Sequence, residues 1–159
     1  MIDQKTALEL FEYREGKLYW RVCINSRAPI GSEAGAYNPH NKRRSVRIKG
    51  KKYYTHRLIF LIHHGYMPLE VDHIDADRHN NQIENLRAAT SAQNQRNKPL
   101  QRNNTSGHKN VRWANGKWAV ELKINGKAKY FGRFEDLELA ALMASEVRDK
   151  YHGEFARHG

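Results

Sequence analysis

The chain has 159 residues, of which 28 are Lys or Arg and 17 are Asp or Glu, so its formal net charge is +11. That length predicts one ordinary domain or two small ones, and the charge favours an anionic partner, nucleic acid before all others. One cysteine, Cys23, leaves no disulfide framework and no Cys-rich zinc site, and no apolar run reaches the length of a bilayer span.

Neither a long amphipathic basic helix nor a signal-peptide pattern in MIDQKTALEL is visible, so no membrane partner is expected and the expected location is a reducing cytoplasm. Residues 2–11, IDQKTALELF, have helical spacing with Asp3 at the N-cap position. YREGKLYWRV, residues 13–22, predicts a hairpin about Glu15-Gly16. Residues 26–42 are rich in turn formers (Pro29, Gly31, Gly35, Pro39) and read as irregular. SVRIKGKKYYTHRL, residues 45–58, predicts a second hairpin turning near Lys49-Gly50, and Arg57 to His64 predicts a short helix closed by Gly65 and Pro68. No acid interrupts the cations along this second hairpin, which include Arg43, Arg44, Arg47 and Lys49. They read as a DNA-phosphate surface; the bland reading is an edge strand guarded by solvated lysines.

Residues 71–98, VDHIDADRHNNQIENLRAATSAQNQRNK, contain five Asn, two His and three Asp, yet they follow RLIFLI, the most apolar run in the chain. Val71-Asp72-His73 predicts a strand, 74–84 a polar excursion, Asn85 to Ala88 a returning strand, and Thr90 or Ser91 the cap of a helix through Asn94. In a strand–loop–strand–helix unit Asp72 and Asn94 can approach one another. A carboxylate and an amide carbonyl are hard oxygen donors suited to Mg²⁺ or Mn²⁺, with positions left for substrate and water. A neutral His73 at the strand end can take a proton from an attacking water.

This segment resembles the HNH nuclease motif in its phage and intron-encoded homing-endonuclease form. The residues that carry the resemblance are VDHID at 71–75, NNQIENLR at 80–87 and Asn94 in SAQN, preceded by HRLIFLIHHGYMP at 56–68 and EGKLYWRV upstream. The resemblance covers about residues 10–98. It implies a ββα-metal fold in which Asp72 and Asn94 hold a divalent metal and His73 is the general base. Asn85 would be the middle Asn that fixes the loop and the histidine. Asn stands where the last His of the motif's name would be.

NKPLQRNNTSGHKN, residues 97–110, reads as a linker. NVRWA, KWAVELKI and KAKYFGRF then predict three antiparallel strands turning at Asn115-Gly116 and Asn125-Gly126. Trp118, Val120, Leu122 and Ile124 alternate with Lys117, Ala119, Glu121 and Lys123, so one sheet face is apolar. LELAALMASEVRDKY, residues 137–151, predicts the amphipathic helix that covers it, with Asp136 as N-cap and Gly153 as terminator. NVRW at 110–113, GKWAVELK at 116–123 and YFGRF at 130–134 resemble the plant APETALA and ethylene-response-factor DNA-binding domain. That resemblance implies DNA contacts at Arg112, Glu121, Lys123 and Tyr130, with Trp113 and Lys117 secondary. Lys123 and Ala128 stand where plant domains favour Arg, so base reading is expected to be looser.

The fold expected is therefore α+β. An HNH nuclease domain occupies 1–98 (its ββα-metal core about 70–98), a linker 99–106, and a three-stranded sheet with one helix 107–159. The expected function is a metal-dependent endonuclease on double-stranded DNA, with no small-molecule cofactor, acting in the bacterial host cytoplasm if phage-encoded. The sheet domain would choose the site. Monomer and homodimer stay open, and with them nicking or double-strand cleavage. The other readings are a non-catalytic DNA-binding regulator on an HNH scaffold and an RNA-directed nuclease.

Overall fold

The computed structural model describes residues 2–158. They divide into two compact units, one ending at Ser91 and the other beginning at Ala92. The architecture is mixed α and β, with small antiparallel sheets and few helices.

In the first unit α1 spans Gln4–Leu10, and the Asp3 carboxylate accepts from the Thr6 amide at 2.8 Å, closing an orphan donor of the first turn. Strands β1 (Phe11–Arg14) and β2 (Lys17–Trp20) form the first hairpin. Its turn residues, Glu15 and Gly16, have φ of 45° and 78°, the left-handed pair that a two-residue hairpin loop needs. A three-stranded sheet combines β3 (Ala36–Asn38), β4 (Arg43–Ile48) and β5 (Lys51–Tyr54). β3 lies inside the stretch expected to be irregular. Ala36-Tyr37-Asn38 carries no apolar alternation, and its pairing with β4 comes from the tertiary fold. Helix α2 (Thr55–His64) follows, ended by Gly65 at φ 77°. Strands β6 (Glu70–His73) and β7 (Leu86–Ala89) pair in antiparallel register, Asp72 opposite Arg87 and His73 opposite Leu86.

Helix α2 is apolar on nearly every side because it is the centre of this unit. Thr55, His56, Leu58, Ile59, Phe60, Leu61 and Ile62 are all buried. Ala7 of α1, Phe11, Leu18 and Trp20 of the first hairpin, Val46 of β4, Val71 of β6 and Leu86 of β7 complete one core with it. The polar segment after RLIFLI thus needs few apolar residues. Val71 and Leu86 anchor its two strands in this core, and Ile83 packs against it from the loop between them.

A short helix α3, Ser91–Arg96, follows β7. The second unit contains β8 (Val111–Ala114), β9 (Lys117–Ile124) and β10 (Lys127–Phe134), with β9 central, and α4 (Leu137–His152). Asn115-Gly116 and Asn125-Gly126 make the turns, all four at positive φ. Asp136 caps α4 by accepting from the Leu139 amide at 2.8 Å. Ala140 and Ala144 let the helix lie close over Val111 and Val120, with Trp118, Phe131, Phe134 and Leu137 at the margin. Within the stretch expected as a linker, Ser106 is buried and its hydroxyl donates to the Val111 carbonyl at 2.8 Å, so these turns pack on their own unit. Among the described residues no helix is long and apolar enough to cross a membrane.

Candidate active site

β6 delivers Asp72 and His73 side by side, each only 4% exposed. A buried carboxylate needs compensation, and Arg87, opposite it on β7, donates from Nε and Nη2 to its Oδ2 at 3.0 and 2.9 Å. The His73 ring lies with Nε2 2.8 Å from the Asn81 Oδ1. An amide oxygen can only accept, so this partner assigns the ring hydrogen to Nε2 and the lone pair of the neutral ring to Nδ1. Burial holds His73 below the ordinary imidazole range, with Arg43 adding to the effect; the bond to Asn81 and the charges of Asp75 and Asp72 oppose it. A neutral ring at neutral pH is the form that can take a proton.

The loop between β6 and β7 is held by its own polar groups. The Asn85 Oδ1 accepts from the Asp75 amide at 3.0 Å, and its Nδ2 donates to the Asp75 Oδ1 at 2.9 Å and to the Asn80 carbonyl at 2.7 Å. Asp75 accepts further from Asn80 Nδ2 at 2.7 Å and from the Asp77 amide at 2.8 Å. Burial raises the Asp75 carboxyl, but the bonds from Asn80, Asn85 and the Asp77 amide outweigh it and hold the group below its usual range. Tyr13 of β1 accepts from the Ile83 amide at 3.1 Å and donates to Gln82 at 3.2 Å, tying the loop to the first hairpin. The resemblance gives Asn85 two tasks, fixing the loop and the histidine. In the structure Asn85 binds the loop, and Asn81 makes a side-chain bond to the His73 ring. The spacing Asp75-Ala76-Asp77, typical of successive Asx turns, was the sequence signal for Asp75 as the hub. Nothing in the sequence singled out Asn81 from Asn80.

Behind His73 the His56 ring lies 5.1 Å away, and Tyr54 lies 5.7 Å beyond it. Burial first, then the neighbouring His73, Arg43 and Arg57, holds His56 well below the ordinary imidazole range. The pleat sorts the expected cations of the second hairpin. Arg43 and Arg47 share one face of β4; Arg44 is on the other, donating to the Gly35 carbonyl at 2.9 Å and pairing with Glu33 at 3.1 Å. Arg43 and Lys52 both lie over the Tyr54 ring, at 5.3 and 5.2 Å. Among the described residues the buried Arg43 Nε has no hydrogen-bond partner. Lys49 is in the turn at φ 47°. Arg57 in the first turn of α2 donates to the Leu69 and Pro68 carbonyls at 2.9 and 2.7 Å and is spent on the fold.

In the second unit the register puts Arg112, Lys117, Glu121, Lys123 and Tyr130 on the sheet face away from α4. Trp113 does not share that face. It is opposite Trp118, with ring centres 4.7 Å apart, although it is 54% exposed. The bulge after Tyr130 brings Arg133 opposite Ala119, adding a cation to the free face that sequence reading missed because the bulge shifts the alternation. Asn94 is on α3.

Over 89 residues the chain is 34% identical to Protein 3.8 of Escherichia phage T7, a stretch that makes up 55% of this chain and 73% of the relative. Residues 53–96 match the family model described as HNH endonuclease. The chain belongs to the HNH endonuclease family. No solved structure matches it. The HNH match contains Asp72, His73, Asn81, Asn85, Arg87 and Asn94, and membership implies nuclease activity on DNA. It does not reach the sheet and α4 of the second unit. HNH nucleases generally use divalent metal ions. Among the described residues no three His, Cys, Asp or Glu side chains gather into a metal cage. The donor chemistry of the motif, one buried carboxylate and one carboxamide, fits a hard cation that takes few protein ligands and completes its shell with water and phosphate.

Proposed function

We propose that this HNH protein is a metal-dependent endonuclease that hydrolyses phosphodiester bonds in duplex DNA. The observation that carries the reading is the buried His73, bonded to Asn81 and adjoining the Arg87-held Asp72, within the stretch that matches the HNH family. In this reading β6, β7 and α3 are the ββα-metal unit, and Asp72 and Asn94 hold a Mg²⁺ or Mn²⁺ ion. The role of Asn94 rests on its place in the motif. The bound ion supplies Lewis-acid stabilisation of the phosphate and the departing 3′-oxygen. His73 Nδ1 takes the proton of the attacking water, and Asn81 accepts from Nε2–H and stabilises the charge that the ring gains. Arg87 holds Asp72 in place, while Asn85 keeps the loop closed. Arg43, Arg47 and Lys52 offer the DNA backbone a cationic face. The products are a 5′-phosphate and a 3′-hydroxyl.

Site choice belongs, in the same reading, to the second unit. Its free face carries Arg112, Lys117, Lys123, Tyr130 and Arg133, an assortment suited to phosphate and base edges in a groove. A reader unit joined to a cutting unit is the organisation of a homing endonuclease.

The test is cleavage of supercoiled plasmid over a Mg²⁺ series, wild type beside His73→Ala. Wild type should give relaxed or linear DNA only with metal, and His73→Ala should lose at least about a hundredfold in rate, the scale of a general base. DNA that is bound but left intact by wild type, on plasmid and on DNA of the protein's own genome, would sink the enzyme and favour a DNA-binding regulator.

A further inference from the structure

The first unit has a cavity of about 230 Å³ between the turn of the first hairpin, β3 and the loop at 78–81. Lys17, Lys42, Arg44 and Arg78 surround it. Glu33 is placed against two of these, 3.1 Å from Arg44 and 4.0 Å from Lys17. Among the described residues no carboxylate pairs with Lys42 or Arg78, and Arg78 is close enough to Arg43 to depress its pKa. Positive charge gathered in this way calls for an anion. Lys42 also sits at φ 54°, so the turn that aims it is held in a conformation that side chains seldom adopt.

Tyr37 and His79 line the same cavity, with ring centres 5.5 Å apart and planes inclined by 35°. Both are exposed. Cations beside an open aromatic pair match the two halves of a nucleotide, a phosphate and a flat base. The volume sets the size of the occupant. It is below the roughly 300–1,000 Å³ of sites for drug-sized ligands, so the occupant is limited to a single nucleotide at most and a stacked duplex cannot enter.

We infer that this cavity is a subsite for one unpaired nucleotide of the DNA strand, its phosphate on Lys42 and Arg78 and its base against Tyr37 and His79. The inference rests on the nuclease reading of His73. Asn81 connects the two, because it lines the cavity and also holds the His73 ring. The nucleotide in the subsite therefore lies near the bond to be cut. DNA that is locally unpaired is the preferred substrate, since its nucleotide leaves the stack at least cost.

The experiment is binding of the full chain, in EDTA, to two labelled duplexes of one sequence, one flush and one with a single bulged thymine, followed by fluorescence anisotropy. Wild type should bind the bulged duplex about tenfold more tightly, the scale of one base on an aromatic platform. A double variant, Tyr37→Ala with His79→Ala, should lose that preference while its affinity for the flush duplex stays within about twofold. Arg78→Ala should weaken the bulged complex more than the flush one, because the phosphate it holds belongs to the nucleotide in the cavity. Equal binding of the two duplexes by wild type overturns the inference, and so does a preference that survives in the double variant. The ratio is taken within one protein sample, so partial misfolding does not alter it. Because no metal is present, the outcome separates from that of the plasmid assay. A bulge preference without cleavage leaves the subsite standing and removes the nuclease, and cleavage without the preference does the reverse.

Discussion

Replacing Asn85 with alanine removes three hydrogen bonds at once: the Asp75 amide to Oδ1, and Nδ2 to the Asp75 carboxylate and to the Asn80 carbonyl. Each contributes about 1 kcal/mol net, and partial exposure lets water replace some of it, so the loss is about 2–3 kcal/mol. All three partners lie in the segment between β6 and β7, so the loss falls on closure of that loop rather than on the core around α2. At tenfold per 1.4 kcal/mol, the open form gains about 30- to 150-fold. Amide hydrogen exchange at Asp75 reads this directly, since its N–H is the group released, and it should speed up by that factor. DNA cleavage should fall with it, because the same loop carries Asn81 to the His73 ring. Asn85→Asp should be no better, since it keeps the acceptor but sets a second carboxylate against Asp75. Exchange at Asp75 within threefold of wild type in Asn85→Ala would refute the account of the loop, whatever the cleavage rate.

Asn81→Ala should cost at least about tenfold in cleavage rate, while Asn81→Asp, which keeps an acceptor for Nε2–H, should stay within a few-fold of wild type; equal losses in the two would show that the bond does not orient the ring. Gly16→Ala should destabilise the first unit by about 1–2 kcal/mol through its left-handed φ alone, and by more because the new Cβ would sit 3.1 Å from the Gln82 backbone nitrogen. Thermal unfolding checks it, and an unchanged midpoint would count against the packing of that turn on the loop. The buried His56 stays neutral in the folded chain while its unfolded form gains a proton below pH of about 6.5. Stability is therefore complete above that pH and falls as pH drops through it, by up to about 1.4 kcal/mol per pH unit for this group. Urea unfolding at pH 7.5 and 5.5 should show the loss, and His56→Gln should flatten it; equal stability of wild type at the two pH values would contradict it.

Where pattern and chemistry are local, the sequence was enough. Asp3 and Asp136 as caps, the four X-Gly turns, the alternation of β9 and the apolar run of α2 each express a preference satisfied within a few residues, and each is where it was expected. The motif at 71–94 also identified the family, because its residue types and spacing answer to chemistry rather than to packing. What the sequence could not settle is which of several identical side chains meets which partner. Asn80 and Asn81 are equivalent in composition, yet one turns inward to Asp75 and the other to His73, because the Asx turns at 75–79 fix which way each points. Arg43 and Arg44 are neighbours in a basic run, yet the pleat sends one toward Tyr54 and the other toward Glu33. Trp113 and Arg112 part in the same way, and a single bulge turns Arg133 onto the free face. β3 and the cavity beside it need strands and turns from residues 16 to 81, and no local window holds both sides of such a contact. The sequence by itself determined the kinds of element and the chemistry available; the tertiary structure alone decided the pairing, because direction and long-range approach are set by pleat, register and turn geometry summed over the whole unit.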